Sequence, residues 1–414
     1  MHLLHLLATS GLALGATVTQ LTGQVAFDIA VGPKPPFKPI PPSTPRTKEC
    51  VVKSGGGGDD TPHIMEAVKA CNGGGKVVFT RGVKYTVGTA MDLSKLEHVD
   101  LVINGQITFT NDVAYWQKHG FKHNFQDAMT FFQLGGVDVN VYGGGTLDGN
   151  GGVWKGKSPR PILFGTIGLK GGRISDLTLR NSPQWFHLVK DSQDVVYSDL
   201  RISGHNGNTD GWDTYNSRNI VIQNSNIDNG DDCVSFKPGS IDILVQGLVC
   251  SGSHGISVGS LGQYRGKTDI VENIMVYNVS MANASNGARI KTWSGGHSAG
   301  GGLEGGGGSG RVANVTYENM RVSKVDSAIE ITQCYMEKDM AKCKANPSKV
   351  TISNILMQGF SGTTSGKKNT VGSLTCASAA GCKNIVLKDI NVRAPGGSKA
   401  FSCNNIHPSG VSCA

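Results

Sequence analysis

The sequence predicts an all-β, single-domain right-handed parallel β-helix of about ten coils with a short N-terminal capping helix, and three observations predict it. First, similar strand phrases begin at Val99, Val137, Gly172, Asp194, Asn219, Asp242, Asn273, Asn314, Val350 and Asn384. Each joins an alternating apolar strand to a polar, often Asn-containing turn and a second short strand, with separations that suit one coil plus variable loops. Second, Asp210, Asp232 and His254 are equally spaced. A solenoid coil takes roughly 20 to 30 residues, so equal spacing stacks them on one face. Third, glycine is abundant, 58 of 414 residues, without a Gly-X-Y period, which fits many tight turns between short strands. A β-sandwich would also use short strands, but would not repeat a polar turn at the same point in every unit.

In chain order, Met1 to about Ala26 opens with a short apolar run and small residues at Ala13 and Gly15, and reads as a signal peptide. Residues 27–48 are proline-rich and read as a poorly packed linker or pro-segment. The folded catalytic unit is expected over 49–414. Within it Thr61-Pro62 starts a helix, with Thr61 as cap, that ends by Gly73-Gly74-Gly75 and covers the open end of the solenoid. The stretch Gly295 to Gly310 is mostly glycine and is expected to be a mobile insertion.

Hydrophobic residues make up 38% and charged residues 17%, enough apolar material for a long core and no case for disorder. The net charge of +8 favours a polyanionic partner. Because the basic residues are scattered and no nucleic-acid motif occurs, an acidic polysaccharide is at least as good a candidate as nucleic acid, and charge alone does not choose between them; the chain as a whole is read as taking the polysaccharide and no nucleic acid. No later run is long and apolar enough to span a bilayer as a helix, so no membrane partner is expected either; the protein is expected to be a monomer. Ten cysteines suit an oxidising, extracellular compartment. Their neighbours along the chain pair as Cys50 with Cys71, Cys233 with Cys250, Cys334 with Cys343, Cys376 with Cys382 and Cys403 with Cys413. None lies in a Cys-x-x-Cys motif, so the cysteines give a zinc or redox site little support; no cofactor is expected. Sequons at Asn278, Asn283 and Asn314 are glycosylation candidates.

The chemistry concentrates between Asn208 and Lys291. Asp210, Asp231 and Asp232 offer the acid and base needed to break an acetal between sugars, and crowded carboxyls raise at least one pKa. Most Asp beside Gly are solvated turn residues, and Asp59-Asp60 are read that way. The central acids are not, because a histidine and two cations converge with them on consecutive coils. Neighbours on a strand face opposite ways, so Asp231 and Asp232 share a face only if the chain bends, which Gly230 permits. His254 is placed to hydrogen-bond the cluster. Arg289 and Lys291 alternate onto one face, where they could be a solvated edge or a clamp on a substrate carboxylate. Tyr335 is equally suited to a sugar contact or a buried rim.

Asn208-Thr209-Asp210, Gly230-Asp231-Asp232, Gly252-Ser253-His254-Gly255 and Arg289-Ile290-Lys291, in this order, resemble the four signature segments of glycoside hydrolase family 28, the polygalacturonases. Phe131-Phe-Gln-Leu-Gly-Gly, the Tyr142 to Gly151 stretch, Ser182-Pro-Gln-Trp and Gly255 to Tyr264 are most similar to its secreted fungal exo-acting branch, from about Cys50 to Cys413. The resemblance implies inverting hydrolysis of α-1,4-linked galacturonic acid, without a metal. By motif, Asp231 would be the general acid, Asp210 and Asp232 would activate water, and His254 would tune the acid. Arg289 and Lys291 would bind a galacturonate carboxylate, with Asn208 and Tyr335 in support. The competing readings are a hydrolase of decorated pectin (rhamnogalacturonan or xylogalacturonan), a β-helical pectate lyase and a non-catalytic glycan-binding solenoid.

Overall fold

The computed structural model describes residues 20–21, 24–25, 38, 40–296 and 305–414. The expected signal peptide lies almost wholly outside the described residues; within it Gln20–Leu21 pairs antiparallel with Gln24–Val25. From Lys48 onward the chain winds as a right-handed parallel β-helix, and every one of the ten predicted phrases falls on one sheet. Its strands Met91–Ile103, Phe132–Tyr142, Phe164–Ser175, Gln193–Ser198, Arg218–Gln223, Ser240–Gln246, Thr268–Ala282, Ser309–Val325, Lys349–Gln358 and Cys382–Lys388 pair in that order, all parallel.

Register puts like residues in columns. Val195, Ile220, Ile243, Ile274, Val315, Ile355 and Ile385 align coil upon coil and are buried in the core. The alternation predicted from the phrases is this column and its outward-facing neighbours. The polar turn has a physical cause as well. Asp194, Asn219, Asp242, Asn273, Asn314, Asn354 and Asn384 all adopt the left-handed backbone conformation, which Asn and Asp tolerate best among residues with a side chain. Their side chains bond between coils: Asn219 donates to Asp194, Asn273 to Asp242, Asn314 to Asn273, Asn354 to Asn314 and Asn384 to Asn354, at 2.6 to 3.2 Å.

The capping helix is Thr61–Cys71, burying Ile64, Ala67, Val68 and Cys71 over the first coils. Its start differs from expectation. Thr61 is the first helical residue, and Asp59 Oδ1 accepts its N–H at 3.0 Å, so the cap falls to the aspartates. Asp60 is not a solvated turn residue: it is fully buried and accepts the N–H groups of Gly55 and Thr86, which ties the helix to the next coil. All ten cysteines form the five expected disulfides.

Two other stretches pack more tightly than their composition predicts. The end of the proline-rich segment lies against the solenoid. Ile40 is 1% exposed and covers an outward apolar column of Val196, Val221, Leu244 and Met275. Arg46 bridges Asp100 at 2.9 Å and Asp138 at 3.0 Å. The column needs a cover because four apolar residues in line on an outer face would otherwise meet water. Of the glycine-rich stretch, residues 297–304 lie outside the described residues, and the expected mobility falls on them. Its flanks are close-packed: a Cβ on Gly305 would sit 2.1 Å from the Trp293 ring, and one on Gly306 2.0 Å from the Gly296 carbonyl. Glycine there allows two backbones and an indole to meet.

Candidate active site

The site lies on a second face of the solenoid, built from the successive parallel strands His187–Lys190, Trp212–Tyr215, Val234–Phe236, Ile256–Leu261, Asn286–Trp293 and Ser327–Tyr335. Trp212 aligns with Val234 and Val234 with Ile256, so Asp210, Asp232 and His254, each two residues earlier, are in register. The backbone confirms the stack: the Gly211 N–H donates to the Asp232 carbonyl and the Cys233 N–H to the Gly255 carbonyl.

Asp231 and Asp232 lie in a bend that starts at Gly230, as both sharing one face requires. Asn229 holds that bend, its amide donating to the carbonyls of Thr209, Asp231 and Asp232 at 2.8, 3.0 and 3.0 Å. The adjacent acids then take different partners. His254 Nδ1 lies 2.9 Å from Asp231 Oδ1, and the Asn208 amide reaches Asp231 Oδ2 at 3.4 Å. Asp232, 1% exposed, accepts the Lys291 ammonium at 2.6 Å and the Ser257 hydroxyl at 2.7 Å. Arg289 and Lys291 do share the outward face while Ile290 is buried between them. Arg289 Nε donates to Glu330 at 3.1 Å, and both cations lie over the Tyr335 ring, at 5.5 and 5.6 Å from its centroid. Trp293 meets that ring edge to face.

Asp210 is 3% exposed. Burial, then the charges of Asp213 and Asp231, push its carboxyl well above the ordinary range. Burial would raise Asp232 too, but the charges of Lys291, Lys237 and Arg289 outweigh it and hold that carboxyl below the ordinary range. The hydrogen bond to Asp231 raises His254 against the opposing effect of burial. The site thus contains one acid that keeps its proton and one that gives it up readily, side by side.

Sequence reasoning missed a second cation. Lys237 is 6% exposed, pairs with the fully buried Asp213 at 3.0 Å, and lies 5.5 Å over the Trp185 ring. Burial pushes Asp213 up to about 7 despite that lysine. Lys237 was readable in principle, as a charge ending the apolar strand Val234–Phe236. The pair Gln126 and Gln263 was not, since no pattern links residues so far apart; Gln126 Nε2 donates to Gln263 Oε1 at 2.9 Å.

These residues enclose a cavity of about 390 Å³, lined by Asp210, Asp231, Asp232, Lys237 and Lys291, with Asn208, Trp185 and Tyr335 among the others. Gln126 and Gln263 also line it, and Gln126 lines a second cavity of about 620 Å³ with Phe125, Tyr215 and Tyr264. One ligand atom each from Asp231, Asp232 and His254 lies within 4.8 Å of the others, a spacing that could hold a metal ion. The Lys291 ammonium already stands against Asp232 in the role a cation would take, so the group fits an acid–base cluster better.

The profile of the family described as Glycosyl hydrolases family 28 matches residues 78–413. The chain belongs to this family. Similar members include the probable exopolygalacturonase X of Neosartorya fischeri, 57% identical over 93% of this chain and 93% of the relative. Exopolygalacturonase X-1 of Emericella nidulans is 56% identical over 99% and 98%. Among solved structures, the endo-xylogalacturonan hydrolase of Aspergillus tubingensis is 31% identical with a TM-score of 0.76, covering 88% of this chain and 100% of that one. The polygalacturonase of Erwinia carotovora, 21% identical with a TM-score of 0.69 over 89% and 98%, shares the fold. Asn208, Asp210, Asp231, Asp232 and Lys291, from three of the four segments singled out in the sequence, line one cavity, and His254 from the remaining segment reaches it through Asp231.

Proposed function

We propose that this chain is a secreted exopolygalacturonase that removes galacturonic acid from the ends of α-1,4-linked polygalacturonate by acid–base hydrolysis with inversion. The observation that carries this reading is a cavity in which the carboxyls of Asp210, Asp231 and Asp232 face the two lysines Lys237 and Lys291. A carboxylate-bearing polymer needs the cations, and cleavage of its acetal bond needs the acids. The names of the relatives at 56 and 57% identity support the same substrate and mode.

Asp231, beside His254, protonates the departing glycosidic oxygen. Asp210 and Asp232 orient water on the other side. Asp232 stays ionised beside Lys291 and is the carboxylate ready to take a proton from that water, which Asp210 helps to orient. Arg289 and Lys291 bind a galacturonate carboxylate, Arg289 exchanging Glu330 for it, with Asn208 and Tyr335 lining the approach. The five disulfides suit secretion. Of the sequons, Asn283 is exposed and Asn278 half-buried, whereas the Asn314 amide is engaged in the asparagine ladder.

Digestion of oligogalacturonides of defined length tests this, with the first product and its anomer followed by NMR. Monomeric β-galacturonic acid is the expected first product. Internal fragments, the α anomer, an unsaturated sugar, or activity confined to rhamnose- or xylose-bearing pectin would overturn it.

A further inference from the structure

Lys237 is a second cation in the catalytic cavity, and the chemistry assigned above leaves it without a task beyond pairing Asp213. Its position is regular. Phe236 aligns with Val258, and Val258 with Ile290, so Lys237, Gly259 and Lys291 follow in one outward column. The two lysines are two coils apart, roughly 10 Å at one strand spacing per coil. Between them stands a residue with no side chain, and a Cβ on Gly259 would lie 2.4 Å from the Lys291 carbonyl. The column therefore carries two lysines with no side chain between them.

The coil order sorts the cavity wall. Lys291 and Tyr335 belong to the later coils and Trp185 to an earlier one, whereas Lys237 starts on the coil of Asp231 and Asp232 and reaches back to Asp213 and Trp185. If Arg289 and Lys291 hold the carboxylate of the sugar on one side of the scissile bond, the sugar on the other side falls toward the wall at Trp185. The Lys237 ammonium stands there, over the indole. An ammonium has three N–H donors, and Asp213 accounts for one ion pair. A lysine buried in the wall of this cavity is already desolvated, so an arriving carboxylate loses less than it would at a hydrated surface cation.

We propose that Lys237 binds the carboxylate of the galacturonate unit across the scissile bond from Arg289 and Lys291, so that the enzyme grips one uronate on each side of the bond it breaks. The inference rests on the exopolygalacturonase reading. It makes Lys237 a specificity residue that requires a free carboxylate on the terminal sugar, where a purely structural Lys237 would only neutralise Asp213.

The two roles separate with trigalacturonate whose non-reducing-end carboxyl is either free or methyl-esterified. The wild type should favour the free acid by about 10-fold or more in kcat/KM, the scale of one charge-assisted hydrogen bond. Lys237→Gln should bring the two substrates to within about 3-fold of each other, chiefly by lowering kcat/KM on the free acid. If the variant loses activity equally on both and keeps the preference, Lys237 is structural and the proposal falls. Should Lys237→Gln not fold because Asp213 is left unpaired, Asp213→Asn with Lys237→Gln removes both charges and carries the same comparison: a lost preference supports the proposal and a kept one overturns it. A wild type indifferent to the ester overturns the proposal while leaving exo-hydrolysis intact. A wild type that releases no galacturonic acid from the free acid removes the functional reading and the proposal together.

Discussion

His254 stacks in register on Asp232 through the backbone, yet its imidazole turns to Asp231, with Nδ1 2.9 Å from Oδ1. Backbone register and side-chain partnership diverge because the bend at Gly230 leaves Asp231 free to meet His254, while Asp232 is taken by Lys291 and Ser257. Asp231→Asn should therefore lower release of galacturonic acid by about 10³-fold or more, the upper range for a general acid, while Tm changes little because the side chain is not in the core. His254→Gln should lose less rate. Its pH–rate profile should also lose the ionisation that the imidazole, raised by its hydrogen bond to Asp231, contributes in the wild type.

Lys291 is the counterion that keeps Asp232 ionised, so Lys291→Met acts on more than substrate binding. Removing one member of a buried pair costs about 3 to 5 kcal/mol, which thermal unfolding would read as a lower Tm. The acid limb of kcat should move to higher pH, because burial now dominates Asp232 and raises its pKa. A change in KM alone would assign Lys291 to binding only.

Gln126 lines both the catalytic cavity and the neighbouring one and is hydrogen-bonded to Gln263. Replacing both with glycine should join the two cavities and let chain middles enter. The expected result is dimers and trimers among the early products from pectate, together with a faster fall in viscosity per bond cleaved. Unchanged monomer-only release would place the barrier elsewhere.

Asp213 keeps its proton up to about pH 7 in the folded protein. In the unfolded chain an aspartate loses its proton near pH 4. Between these values the folded state binds more protons, so this group's contribution is full below about pH 4 and is lost as pH rises through 7. Asp213→Asn should therefore flatten the decline of Tm between pH 4 and 7 relative to the wild type. An identical slope would mean that Lys237 already holds Asp213 ionised.

Ile40 covers the column of Val196, Val221, Leu244 and Met275 from outside the coils. Ile40→Ala should cost about 2 to 5 kcal/mol, as for other buried aliphatic truncations, without changing the products. Denaturant titration reads this directly.

The β-helix was legible because each coil repeats the same alternation, and a left-handed Asn or Asp marks the same turn, so local pattern and global register carry one message. The catalytic cluster was legible for the same reason: equal spacing in a solenoid becomes vertical neighbourhood. The cover formed by Ile40, the burial of Asp60 and the partnering of Asp231 with His254 were not, because each depends on which surface a non-repeating segment meets. The sequence by itself determined the array, the five local disulfides and the acids that share a face, all through contacts between one coil and the next or within short loops. Only the tertiary structure decided which acid meets which cation, that Lys237 belongs to the site, and that Gln126 meets Gln263. Those are encounters between loops, and a loop's path is set by the packing around it, with no period in the chain to announce it.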